Sequence, residues 1–289
     1  MTTLAAWADA ARRTLAARGW PDDEARRDAS RLARAVLGWD AATWIAHGGD
    51  GIPPAFEAAA GALLERRLAH EPLAYLTGAR EFYGRDFAVT PAVLIPRPET
   101  EGVVEEALRI ATGRTGAAAG NLAILDAGTG SGCLAITLAL ELPAAALVAT
   151  DVSPEALGVA RRNAAALGVA DRIEFLQAPL AAGLDAAVDL VVANPPYVPE
   201  RDRPALAPDV VGHEPALALF AGPDGLDVIR DLVPAARHAL RAGGSLVMEI
   251  GAGQAEAVEA LFGREWHEVG IVPDLQGIPR VVVARLPGA

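Results

Sequence analysis

Between residues 122 and 286, short apolar runs alternate with helical patterns, and this alternation leaves few folds open. LAILDA (122–127), ALVATD (146–151), IEFLQA, DLVVAN (189–194), GSLVMEIG (244–251) and VVVARL near the end each read as a strand. SGCLAITLALEL (131–142) and QAEAVEALFG read as helices, as does GLDVIRDLVPAARHALRAGG, in which Pro234 marks a kink. A further helix starts at Ser153-Pro154-Glu155, where a hydroxyl cap precedes a proline, and closes at Gly168. Strands that are apolar throughout are buried on both faces, so the pattern predicts a mostly parallel, doubly wound sheet with helices on either side.

Two other segments precede it. Residues 1–72 read as helices, with Leu4, Trp7, Ala11 and Leu15 on one stripe and a second start at Pro21 followed by Asp22, Asp23 and Glu24. Four of the five tryptophans lie between positions 7 and 44, either as core filling or as a recognition face. EFYGRDFAVT alternates around a turn at Gly84 and reads as a hairpin within a linker over 73–91. IPRPETEGVVEEALRIA then opens a helix, with Pro98 in its first turn, at the head of an α/β domain spanning 92–289.

Composition excludes several functions. With 52% hydrophobic and 21% charged residues the chain is globular. All 25 basic residues are arginine, so Schiff-base lysines, a phosphate-loop lysine and a lysine base are excluded. A net charge of −12 lacks the broad basic footprint of a nucleic-acid binder. One cysteine, Cys133, rules out an internal disulfide framework and a paired-cysteine zinc site, and no metal is expected. The start lacks a basic-then-apolar leader, and the longest apolar stretch is broken by Asp126 and glycines. The expectation is a cytoplasmic protein with no membrane association.

The strand ending at Asp126 runs into Gly128, Gly130 and Gly132, and a helix follows at once. Glycines let a backbone approach a ligand closely, and the helix start offers free N–H groups. Asp151 ends the next strand, 21 residues after Gly130, the spacing at which an acid takes a ribose diol. Three ligands compete. A dinucleotide fingerprint needs a third glycine where Cys133 stands, and a phosphate loop needs a lysine. S-adenosylmethionine, which carries ribose and a sulfonium but no phosphate, needs neither.

The fourth strand ends in Asn194-Pro195-Pro196-Tyr197. Ligands of open α/β sheets bind beyond the carboxyl ends of the strands, so this tetrapeptide should face the glycine loop. Two prolines make a stiff exit. An amide nitrogen is a poor nucleophile because its lone pair is delocalised. The Asn194 side-chain oxygen and the Pro195 carbonyl, accepting both N–H protons, would aim that lone pair at a methyl group and bind the growing positive charge more tightly than the ground state. The Tyr197 ring suits stacking on a planar amide or base.

These motifs resemble the class I methyltransferases that act on planar nitrogens. EPLAYLTGAREFYGRDFAV, VLIPRPETEGVVEEAL, LDAGTGSGCLAI, DVSPEALGVARRNA, NPPYVPE, EPALALFAGPDGLDVIR, GGSLVMEIGAGQ and GIPR together resemble the HemK-like release-factor glutamine methyltransferases over about residues 70–280. The resemblance implies a Rossmann-like domain with a helical, substrate-recognising N-terminal domain. It implies transfer of a methyl group from S-adenosylmethionine to the side-chain amide nitrogen (N5) of the glutamine in the Gly-Gly-Gln motif of class 1 peptide chain release factors. It assigns Gly128, Thr129, Gly130, Ser131, Gly132, Asp151 and Asn194 to the cofactor, with Pro179 beside the adenine where many members carry an aromatic residue. It assigns Asn194, Pro195, Pro196 and Tyr197 to the substrate glutamine, with Asn194, Pro195 and Tyr197 catalytic. Ala127 stands where the family often has leucine.

Other candidates are read as supporting features. His47, His70, His213, His238 and His267 show no paired spacing, and Cys133 has no base near it in sequence. Glu99 and Glu101 are either capping acids or crevice residues; Arg80, Arg85 and Arg97 are either surface charges or contacts to the release factor. The competing functions are an N6-adenine or N2-guanine nucleic-acid methyltransferase, which the acidic charge disfavours, and a non-catalytic adenosyl-binding protein, which the intact tetrapeptide disfavours.

Overall fold

The computed structural model describes residues 3–113, 122–184 and 187–288. They fall into two compact units: the chain up to Ala79 together with Ala207–His213, and Arg80–Leu206 together with Glu214 onward. The first unit carries α1 (Leu4–Ala17), α2 (Asp22–Leu37), α3 (Ala41–His47), α4 (Phe56–Leu68) and α5 (Leu73–Thr77). Local chemistry sets the helix ends. Asp40 caps α3 by accepting from the Thr43 amide at 2.7 Å, and the acids of the first turn of α2 lie at the positive end of its dipole. Leu4, Ala33, Phe56 and Ala60 form the core, with Trp7, Trp39 and Trp44 packed on it, so these tryptophans fill space. Arg67 is buried, donating to Asp28 at 2.7 Å and Glu24 at 3.1 Å.

The second unit begins at Arg80, within the hairpin of β1 (Ala79–Phe82) and β2 (Arg85–Ala88). A 3₁₀ turn, Pro98–Thr100, leads into α6 (Glu101–Thr112). Then follow β3 (Ala123–Ala127), α7 (Cys133–Glu141), β4 (Ala146–Asp151), α8 (Pro154–Ala166), β5 (Ile173–Gln177) and β6 (Val188–Ala193). After α9 (Pro208–His213), which belongs to the first unit, come α10 (Asp227–Ala239), β7 (Leu240–Glu249), α11 (Ala255–Glu259), β8 (Glu268–Pro273) and β9 (Pro279–Arg285). The seven-stranded sheet has the order β5-β4-β3-β6-β7-β9-β8. β9 runs antiparallel to both its neighbours, and the other pairings are parallel. β8 is not visible in the sequence pattern because its residues are half-exposed and it contains Gly270.

The apolar strands sort their side chains with a period of two. Ile124, Leu190, Val192 and Val247 face a core with α6 and α7; Leu125, Val191, Leu246 and Met248 face a second core with α10. β3 and β6 are neighbours, with Asp126 opposite Val192. The chain leaves them in different directions, which opens a crevice at their carboxyl ends.

Candidate active site

The crevice holds a cavity of about 350 Å³. Gly128, Thr129, Gly130 and Ser131 form one wall, Asp151 and Ser153 a second, Ala178, Pro179 and Leu180 a third, and Asn194 and Pro196 a fourth. Of the residues expected here from sequence, Gly132, Pro195 and Tyr197 do not line the cavity. Gly132 faces inward: with φ of 84°, a Cβ there would lie 3.2 Å from the Ala160 Cβ. Only glycine permits that approach of loop to helix.

The loop is held from both ends of its turn. The Gly128 and Thr129 amides donate to the Thr150 carbonyl at 2.9 and 2.8 Å, and the Gly130 amide donates to Asp151 Oδ2 at 2.9 Å. The other Asp151 oxygen accepts from the Ser153 amide at 2.9 Å. Each carboxylate oxygen keeps a second acceptor position, so Asp151 can fasten the loop and still accept from a vicinal diol. Asp126 Oδ2 accepts from the Thr129 hydroxyl at 2.6 Å and the Ala135 amide at 3.1 Å. Its Oδ1 is buried without a partner, and burial raises the carboxyl pKa to about 7. Cys133 lies on the cavity wall, but burial pushes its thiol up to about 12, which leaves it protonated and unreactive.

Asn194 leaves β6 with its Nδ2 donating to Thr100 Oγ1 at 2.9 Å, and its Oδ1 is buried without a partner. Thr100 in turn donates to Glu249 Oε2 at 2.6 Å. Tyr197 donates to Glu249 Oε1 at 2.9 Å, and burial beside that carboxylate raises the phenol pKa, so Tyr197 remains a donor. Burial raises Glu249 as well; the two hydroxyl donors and Arg280 oppose the shift, while Glu99 adds to it. Gln254 closes the loop from behind, donating to the Tyr197 carbonyl at 2.9 Å and accepting from the Gly251 amide at 2.8 Å. The Tyr197 ring is partly buried and packs close to Gly251, while its hydroxyl braces the turn against Glu249.

Sequence reasoning missed Thr100, Glu249 and Gln254. A carboxylate at the end of an otherwise apolar buried strand, LVMEIG, was the available signal for Glu249. Glu101 accepts from the Tyr83 amide at 2.8 Å and pins the hairpin to α6. Arg85 pairs with Glu141 and Arg97 with Glu214, whose second oxygen accepts from the Ile95 amide at 3.1 Å. None of the five histidines lines the cavity. Among the described residues, no helix is long and apolar enough to cross a membrane.

Comparison with known proteins agrees with this geometry. Residues 6–78 match the model of the PrmC N-terminal domain, and residues 117–213 match that of the methyltransferase small domain. A solved structure of the hMettl16 catalytic domain, in complex with the MAT2A 3′UTR hairpin 6, superimposes with a TM-score of 0.56 at 16% identity. It covers 77% of this chain and 81% of that one, and the likeness is one of fold. A release factor glutamine methyltransferase of Cereibacter sphaeroides is 46% identical over 268 residues, 92% of this chain and 93% of the relative. One from Bradyrhizobium diazoefficiens is 43% identical over 281 residues, 96% and 94% of the two chains. A sheet with this strand order, a glycine loop facing an Asn-Pro-Pro-Tyr turn, and identity of this extent place the chain in the family of release factor glutamine methyltransferases.

Proposed function

We propose that this enzyme methylates the side-chain amide nitrogen (N5) of the glutamine in the Gly-Gly-Gln motif of class 1 peptide chain release factors. S-adenosylmethionine, when bound, supplies an electrophilic methyl group on a sulfonium. The observation that carries the proposal is the Asn194 Oδ1, a buried acceptor with no partner in the wall opposite the glycine loop. The cavity fits the cofactor's chemistry: an acid at the end of β4 for a ribose diol, apolar Pro179 and Leu180 beside it for a planar ring, and no lysine or arginine wall for phosphates.

Asn194 Oδ1 and the Pro195 carbonyl accept the two N–H protons of the glutamine amide. They hold its nitrogen with the lone pair facing the methyl carbon. The bound cofactor would supply the methyl group, and positive charge developing on the amide nitrogen would be stabilised by these two fixed acceptors. One N–H proton is then released to solvent, leaving a neutral methylamide. Gly128 to Ser131 and Asp151 hold the cofactor, Pro196 shapes the entrance, and Tyr197 stiffens the turn. The helical N-terminal unit recognises the release factor, and the site of action is the cytoplasm.

The test supplies labelled S-adenosylmethionine with either unmethylated release factor or nucleic acid. Label should enter the Gly-Gly-Gln peptide as a gain of about 14 Da, with weak salt dependence. Transfer to DNA or RNA that collapses between about 50 and 200 mM salt would overturn the assignment. Replacing the target glutamine by glutamate should abolish transfer, since no amide nitrogen remains.

A further inference from the structure

We propose that Thr100 and Glu249 are positioning residues that fix which end of the Asn194 amide meets the substrate, an inference that rests on the role given to Asn194 above. Thr100 ends the 3₁₀ turn before α6 and Glu249 ends β7; both are 1% exposed. Their effect follows from counting protons.

The Asn194 Nδ2 has only hydrogens to offer, so at 2.9 Å the Thr100 oxygen must accept. Thr100 has a single hydroxyl proton, and at 2.6 Å it goes to Glu249 Oε2. Glu249 Oε1 takes the Tyr197 proton at 2.9 Å. With its carboxylate ionised, Glu249 has two acceptors for two donors, and every proton in the chain then has one place to go. Turning the Asn194 amide over would set Oδ1 against a threonine oxygen whose only proton is committed elsewhere, lone pair facing lone pair. The relay therefore forbids the flipped amide. Without it, the two orientations differ little, and the flipped one would present an NH₂ donor to the NH₂ donor of a glutamine. Fixing an acceptor in advance matters because an amide that must reorient in the transition state stabilises it less.

The discriminating experiment is a double-mutant cycle. Thr100→Val keeps the branched shape and removes the hydroxyl. Its kcat for release factor should fall by roughly 10²-fold, near the loss from Asn194→Ala, by analogy with deleting one positioned oxyanion-hole donor. Affinity for S-adenosylmethionine should stay within about threefold, a change worth under about 1 kcal/mol. Thr100→Ser should restore most of the rate. In an Asn194→Ala background Thr100→Val should cost less than about a factor of two more, because residues acting as a unit are not additive. Glu249→Gln, which leaves one acceptor for two donors, should reproduce the loss and serves as the test if the valine variant does not fold. Losses that multiply in the double variant, or a folded Thr100→Val enzyme at full rate, overturn the positioning role and leave Asn194 its own. An Asn194→Ala enzyme at full rate removes the role of Asn194 and the relay with it.

Discussion

Asn163, in the last turn of α8, donates from Nδ2 to the Ser131 carbonyl at 2.8 Å and so holds the glycine loop from a residue that does not line the cavity. The same side chain closes a pair of hydrogen bonds with Ala88 at the end of β2, its Oδ1 accepting at 2.8 Å and its Nδ2 donating at 3.0 Å. Hairpin and loop therefore share one anchor.

Replacing Asn163 by leucine should strand these backbone groups in the interior. The cost is about 1–3 kcal/mol for each group left without a partner. The variant should melt at lower temperature and bind S-adenosylmethionine more weakly, with calorimetry and thermal unfolding as the readouts. Full cofactor affinity in a destabilised variant would show that the anchor serves the fold alone.

Asp151 offers both oxygens to backbone amides, of Gly130 and of Ser153. Asp151→Ala should weaken cofactor binding by about 10- to 150-fold, the range expected for a charged acceptor worth about 1.5–3 kcal/mol. Asp151→Asn keeps a single acceptor oxygen and should fall between. Titration calorimetry that found both variants at native affinity would remove the acid from the cofactor site.

Asp126 makes the free enzyme's stability depend on pH. Its folded pKa of about 7 lies above its ordinary value of 3.8, the causes being burial first and Asp151 nearby. Folding then takes up a proton, so the associated stability is fully present below about pH 4 and is lost as pH rises through 7. A tenfold change in proton affinity is worth about 1.4 kcal/mol, so the loss reaches at most about 4 kcal/mol. Denaturant titrations at pH 5 and pH 8 should show a larger fall for the native enzyme than for Asp126→Asn, which cannot ionise. Equal falls would assign the pH dependence to other groups.

Gly225 lies with φ of 78° against the turn after β6, where a Cβ would meet the Tyr197 carbonyl at 2.3 Å and the Pro199 nitrogen at 2.9 Å. Both obstacles are backbone. Gly225→Ala should cost about 1–2 kcal/mol for the left-handed conformation alone, and push the Asn-Pro-Pro-Tyr turn out of place. The expected signature is a lower kcat with nearly native cofactor affinity.

The two motifs legible in the sequence are those made of consecutive residues. A glycine loop after a strand and a proline pair after another strand declare themselves locally, and the strand order then brings them together. Thr100, Asn163, Glu249 and Gln254 act across 94, 32, 52 and 57 residues on Asn194, Ser131 and Tyr197, and spacing carries no trace of such contacts. Tyr197 reads as a stacking surface because aromatic character is visible in sequence and the destination of its hydroxyl is not. β8 is hidden for a different reason: at the edge of the sheet its side chains are neither consistently buried nor cleanly alternating.

The pairing of β3 with β6, Asp126 opposite Val192, is also a ruler. The glycine loop and Asn194 sit on the ends of these two strands, so under the proposed roles the gap between methyl donor and acceptor is set by which residue of one ladder faces which residue of the other. A slip of one position would move them apart or together by about 3.3 Å, a whole bond-forming distance, and would turn Leu190, Val191 and Val192 to the wrong faces. The buried aliphatic residues that sort themselves between the two cores thus do metrology for a reaction they never meet. A substitution that shifted this register should therefore be felt twice, once in stability and once in the spacing proposed for methyl transfer.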